Sequence, residues 1–189
     1  DSTFPMLEHI RDDPSIHEVI LSGGDPLIMP DARLNNLVES IEQIPHVKRL
    51  RIHTRLPVVI PQRISEPLIE MLVNTRLRTL IVAHFNHANE IDDHVAVAFT
   101  VLRQAGIPLL NQSVLLAGVN DNVESLCSLS EALFEVGIFP YYLHLPDRVT
   151  GTSHFHVDID TALRLHGSIQ GKLPGYLVPK LVQEVPGRP

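Results

Sequence analysis

The sequence predicts an α/β fold organised on a parallel sheet, and three observations predict it. Apolar, β-branched runs alternate with amphipathic stretches along the whole chain. Their starts fall near positions 18, 48, 78, 108 and 138, a period of about 30 residues, the size of one strand–helix unit. Each run also stays apolar along its length and then turns polar, as a buried strand does when it delivers side chains to one rim. No self-similarity accompanies the period, so these are not solenoid repeats. Six strands at most are visible, too few for a closed eight-stranded barrel. The expected class is therefore α/β, either an open doubly wound sheet or a partial parallel barrel with helices outside.

The elements follow in order. Positions 3–11 read as one or two helical turns, with Ser2 as the N-cap and Pro14 ending them. The first strand covers 17–22 and opens the stretch that organises the chain, Val19-Ile-Leu-Ser-Gly-Gly-Asp-Pro-Leu27. Gly23 and Gly24 have no Cβ to keep a small molecule off the backbone. Asp25 places an acceptor at the strand's end, where it could hold an ammonium or hydroxyl group, and Pro26 lacks the N–H that a continuing ladder needs. Residues 31–44 carry Leu34, Leu37, Val38 and Ile41 at helical spacing, with Asp31 near the start and Pro45 after it. A strand is expected over 47–54, a helix over 66–74 with Pro67 in its first turn, and a strand over 77–84. Then come a helix over 92–104 with Gly106 as its cap, a strand over 107–114, and a helix over 123–135 capped by Gly137. A strand over 138–144, a helix over 159–169 and a last strand over 175–182 complete the chain.

Bulk properties narrow the function. With 189 residues, 44% of them hydrophobic, the chain can bury one real core, and a single domain over 1–189 is expected. A net charge of −7 and the lack of any basic run argue against nucleic acid as a general partner. No apolar stretch approaches the ~20 residues of a membrane span, and no secretory signal is visible. The single Cys127 excludes an internal disulfide framework and any cysteine-only metal site within this chain, and fits a reducing, cytoplasmic setting. The chain begins at Asp1 without a Met and ends at Pro189, and we expect it to be a piece of a longer polypeptide.

The polar strand ends are Ser22-Gly-Gly-Asp25, His53-Thr-Arg55, His84-Phe-Asn-His87, Asn111-Gln-Ser113, and His144 followed by Asp147. Sites in parallel α/β folds form at the carboxyl ends of strands, so five such ends favour a small-molecule site. One reading is a metal-dependent barrel hydrolase using His53, His84 and His87 with Asp25 and Asp147. An H-x-x-H after a strand does not put both imidazoles on one helix face, and no H-x-H follows the first strand, which counts against it. Another reading is a non-catalytic binding domain. Ser22 lacks a G-x-S-x-G elbow, and Cys127 sits among Leu126 and Leu129 as a core residue. Arg55 is placed either to grip a ligand's carboxylate or to form a surface ion pair.

SGGDPL at 22–27, IHTRLPVVIPQRI at 52–64, HFNHANE at 84–90, LLNQSVLLAGVND at 109–121 and YYLHLPD at 141–147 resemble the lysine 2,3-aminomutase family of radical S-adenosylmethionine enzymes. IPHVKRLRIHTRLPVVIP and PYYLHLPDRVTG are most similar to the branch that acts on elongation factor P. The resemblance implies a partial (β/α) barrel of the radical S-adenosylmethionine type, and an isomerase that converts L-lysine to (R)-β-lysine. Its cofactors would be S-adenosylmethionine, a 4Fe–4S cluster and pyridoxal 5′-phosphate. Ser22, Gly23, Gly24 and Asp25 would hold the amino end of S-adenosylmethionine and Arg55 its carboxylate, with His84 and Gln112 as further contacts. Asp147 and Glu184 would hold the substrate's side-chain ammonium, Glu184 standing where Asp is more usual.

Two departures accompany the resemblance. The C-x3-C-x2-C cluster loop is expected before Asp1, and the pyridoxal-phosphate lysine just after Pro189. Lys180, inside a predicted strand, reads as structural. The chain alone is thus expected to lack redox and carbonyl chemistry. The implied partners are lysine or a lysyl substrate, with elongation factor P or its ligase; self-association into a homo-oligomer is a further expectation.

Overall fold

A computed structural model describes residues 6–146 and 153–183. Six strands form one sheet in the order β1-β2-β3-β4-β5-β6, and every neighbouring pair is parallel. They are β1 (Glu18–Leu21), β2 (Arg49–Thr54), β3 (Arg78–Ala83), β4 (Leu109–Val114), β5 (Phe139–His144) and β6 (Lys180–Val182). Strand order equal to chain order, with a helical segment between successive strands, is the open parallel barrel that the ~30-residue period predicted. The helices are α1 (Met6–Asp12), α2 (Asp31–Glu42), α3 (Leu56–Val59), α4 (Glu66–Asn74), α5 (Asp93–Gln104), α6 (Val123–Glu135) and α7 (Ile159–Gln170).

Strand parity divides the sheet into two faces. In β2, Leu50, Ile52 and Thr54 are buried, while Arg49, Arg51 and His53 face the other side. The buried face meets Leu34, Val38 and Ile41 of α2, Leu68 and Leu72 of α4, and Phe99 and Leu102 of α5 in one core. Burying each of these side chains contributes about 1.5–3 kcal/mol. A smaller core joins Leu115, Leu126, Leu143, Ala162 and Ile169, with Cys127 packed against it. Side-chain caps start four of the helices: Ser65, Asp92, Asn122 and Asp158 each accept from a backbone N–H three residues on.

Three local departures from the sequence reading have physical causes. The last strand spans only Lys180–Val182, because Pro179 has no N–H to donate, and Gly175–Leu177 after Pro174 forms a 3-10 turn instead. The unexpected α3 starts directly after β2, its first N–H groups held by Asp25. In β5 an extra residue, Tyr141, shifts the register between Asn111 and Gln112. That bulge sets Tyr142 beside Gln112 and His144 beside Val114.

Candidate functional site

A cavity of about 650 Å3 opens at the carboxyl ends of the strands. Each of β1 to β5 contributes to its wall: Ser22 to Asp25 follow β1, His53 to Arg55 end β2, His84 follows β3, Gln112 comes from β4, and Tyr142 and His144 from β5. All seven positions expected to contact S-adenosylmethionine lie on this one wall. Asp147 and Glu184, expected at the substrate, fall outside the described residues. Ser22 to Asp25 also border a second, mostly apolar cavity of about 870 Å3 beside β1, so the glycine turn separates the two.

Gly23 and Gly24 have φ of 78° and 44°, a region that side chains rarely adopt, and a Cβ built on either meets nothing within 4 Å. The turn thus offers bare backbone to open space. Asp25 turns its carboxylate toward the protein. Oδ1 accepts from Leu27 N at 3.0 Å and from Thr54 Oγ1 at 2.6 Å. Oδ2 accepts from Arg55 N at 2.6 Å and Leu56 N at 2.8 Å. Four donors occupy the roughly four acceptor positions of a carboxylate. Asp25 therefore acts here as a brace between the ends of β1 and β2. Arg55 lines the cavity and its Nη2 donates to Glu90 Oε2 at 3.0 Å, so the ion-pair reading is realised within the cavity wall.

Two imidazoles give the wall its character. The Nε2 atoms of His53 and His84 are buried and have no hydrogen-bond partner among the described residues. Their rings stand edge to face, 6.0 Å apart. Burial, followed by the nearby His84 and Arg51, lowers the His53 pKa to about 4. Burial likewise lowers that of His84, against the pull of Asp25. Both are neutral near pH 7, when each can donate or accept one hydrogen bond. Two buried polar atoms without partners beside an open cavity fit a ligand with hydroxyl or heterocyclic groups.

Other polar strand ends do different work. Asn111 and Ser113 have the opposite parity to Gln112 and are buried behind the sheet. Asn111 Oδ1 accepts from Phe85 N at 2.8 Å, and Ser113 Oγ donates to Phe85 O at 2.7 Å. Asn86 Oδ1 accepts from Val114 N, and Asn120 Nδ2 donates to the carbonyls of Asn86 and Val114. These amides lock the turn after His84. His87 is a cap: its Nδ1 accepts from Asn89 N at 3.1 Å while Glu90 Oε1 accepts from its backbone N–H. Among the described residues no group of three or more His, Cys, Asp or Glu could hold a metal ion, so His53, His84 and His87 do not form the centre a hydrolase would need. Lys180 lies in β6 beside Tyr142, as its strand placement implied.

Sequence reasoning gave no role to Thr54, Glu90, Asn86 or Asn120. A H-x-x-E capping box at 87–90 was the available signal for Glu90. The others act through contacts of 28 to 34 positions' separation or across a turn, which spacing alone does not reveal.

The open parallel α/β fold is shared with solved structures. SuiB of Streptococcus suis superposes with a TM-score of 0.68 over 95% of this chain and 42% of its own, at 17% identity. SuiB bound to S-adenosylmethionine gives 0.64 over 89% and 39%. The sequence is similar to the lysine 2,3-aminomutases. It is 50% identical to the L-lysine 2,3-aminomutase of Escherichia coli over 183 residues, 97% of this chain and 54% of the relative. It is 51% identical to that of Haemophilus influenzae over the same shares. The chain spans about half the length of these curated relatives. No family model matches it. Among the described residues no helix is long and apolar enough to cross a membrane.

Proposed function

We propose that the protein carrying this chain is a radical S-adenosylmethionine aminomutase that converts L-lysine to (R)-β-lysine. The observation that carries the reading is the 50–51% identity to two L-lysine 2,3-aminomutases across 97% of the chain. The likeness to SuiB supports only the fold. The cavity residues suit S-adenosylmethionine: bare glycine backbone for its amino end, Arg55 for its carboxylate, and His53, His84 and Gln112 for its nucleoside. When bound, that group supplies the 5′-deoxyadenosyl radical that starts the rearrangement. The chain's own part is to orient it, with the Arg55 guanidinium at its carboxylate and neutral imidazoles beside its nucleoside.

The single Cys127, packed against the smaller core, gives a 4Fe–4S cluster no site within this chain. The cluster and pyridoxal 5′-phosphate are proposed on family likeness. Asp147 and Glu184 are proposed to hold the lysine ammonium, where two carboxylates would fix one end of the substrate. We further propose that the β-lysine is destined for elongation factor P, since the identities to the Escherichia coli and Haemophilus influenzae enzymes exceed the 38% to the Clostridium subterminale enzyme. A cytoplasmic site of action fits an oxygen-sensitive cluster and an unpaired cysteine.

The test is anaerobic turnover by the reconstituted protein with L-lysine, S-adenosylmethionine and a strong reductant. Formation of (R)-β-lysine is expected. Release of 5′-deoxyadenosine with no β-lysine would leave the fold's chemistry and remove the substrate.

A further inference from the structure

Thr54, the last residue of β2, differs in parity from His53 and is 1% exposed. A buried hydroxyl needs a partner, and here it is Asp25. Thr54 Oγ1 lies 2.6 Å from Oδ1 and 2.8 Å from Oδ2 of that carboxylate, and accepts from Leu56 N at 3.1 Å. The same carboxylate receives Leu27 N, Arg55 N and Leu56 N. One side chain, that of Asp25, therefore joins the turn after β1 to the turn after β2, and Thr54 is the only side chain among its donors in the described residues. Those two turns carry Gly23 and Gly24 on one side and Arg55 on the other.

We propose that Thr54 is a positioning residue for the amino-carboxylate end of S-adenosylmethionine. It fixes Asp25, and through Asp25 the glycine turn and the start of α3, its own hydroxyl being taken up by the Asp25 carboxylate and Leu56 N. The proposal rests on the reading of the cavity as the S-adenosylmethionine site. Valine has nearly the shape of threonine but no hydroxyl, so Thr54→Val removes one donor from Asp25 and one acceptor from Leu56 N. Thr54→Ser keeps both.

Calorimetric titration of the holoprotein with two ligands tests it. 5′-Methylthioadenosine shares the nucleoside and sulfur of S-adenosylmethionine but lacks the amino-carboxylate end. In Thr54→Val, S-adenosylmethionine should bind about tenfold more weakly, the effect of one hydrogen bond to a charged group, with 5′-methylthioadenosine unaffected. Thr54→Ser should restore the wild-type affinity, an outcome a merely structural defect would not single out by ligand. Wild-type affinity for S-adenosylmethionine in Thr54→Val overturns the proposal, and so does equal weakening of both ligands. Should Thr54→Val not fold, Thr54→Ala read against Thr54→Ser decides by the same criteria. A wild-type protein that binds neither ligand removes the cavity's assignment and the proposal together, and the wild-type titration alone reveals that case.

Discussion

Arg55 donates to Glu90 across 3.0 Å, and the other oxygen of that carboxylate receives the backbone N–H groups of Asn86 and His87 at 2.7 and 2.9 Å. The guanidinium expected to grip a ligand after β2 is thus anchored to the turn after β3. With its side chain 49% exposed, Arg55 has donors left for a carboxylate arriving in the cavity. Arg55→Ala should weaken S-adenosylmethionine binding by about 1.5–3 kcal/mol, the range for a charge-assisted hydrogen bond. Glu90→Gln, which keeps an acceptor for the two N–H groups, should cost less, roughly threefold in affinity, because Arg55 stays but is loosely held. Calorimetry that found Glu90→Gln weaker than Arg55→Ala would break this ordering.

Acid should destabilise the fold through His53. An unfolded His53 takes a proton near pH 6.5, whereas the folded one resists until about pH 4. Between those values the unfolded chain binds more protons, so stability falls as pH drops through that window and is unaffected above it. His84 is shifted in the same direction. Urea midpoints followed through the window should decline in the wild type and decline less in His53→Gln. An identical decline in both would show that His53 is not a source of the acid sensitivity.

Asn111→Ala should lower stability by about 2–4 kcal/mol, because it leaves the buried N–H of Phe85 without its acceptor and opens a void. Gln112→Ala, one residue on but facing the cavity, should move the urea midpoint far less and act on ligand affinity instead. Equal loss of stability in both variants would contradict the division of β4 into a bracing and a binding face.

That division marks what could be read from the sequence. The parallel order and five of the six strands followed from short runs rich in apolar residues that recur at a fixed period between helical stretches. The cavity's membership also followed, because Ser22 to Asp25, Arg55 and His84 sit just past a strand's end and Gln112 lies in the last half of β4. What the polar residues at those ends do was less legible. Asn111 and Ser113 looked like rim groups beside Gln112, but alternation sends them to the opposite face. Asp25 looked like a ligand contact, yet its donors come from Thr54, Arg55 and Leu56, some thirty positions away. His87 seemed a companion to His84, and only the turn at Asn86 shows it to be a cap.

Asp147→Asn, in the proposed ammonium site, should sharply lower β-lysine formation while 5′-deoxyadenosine release driven by a strong reductant continues. Asp147 and Glu184 are proposed to hold the lysine ammonium together, which would relieve the repulsion between two carboxylates on binding. Both products are measured side by side. A wild-type yield of β-lysine from the Asn variant would rule out the role proposed for Asp147.

We propose that the neutral imidazoles of His53 and His84 receive S-adenosylmethionine in the cavity, and their resonances would report on it directly. Protein prepared without iron and labelled with 15N at histidine would be titrated with S-adenosylmethionine while the imidazole signals are followed. The Nε2 signals of His53 and His84 should move together and saturate. That of His166, whose Nε2 lies 2.8 Å from the Pro179 carbonyl oxygen away from the cavity, should stay in place. Saturable binding that left His53 and His84 unmoved would contradict the account.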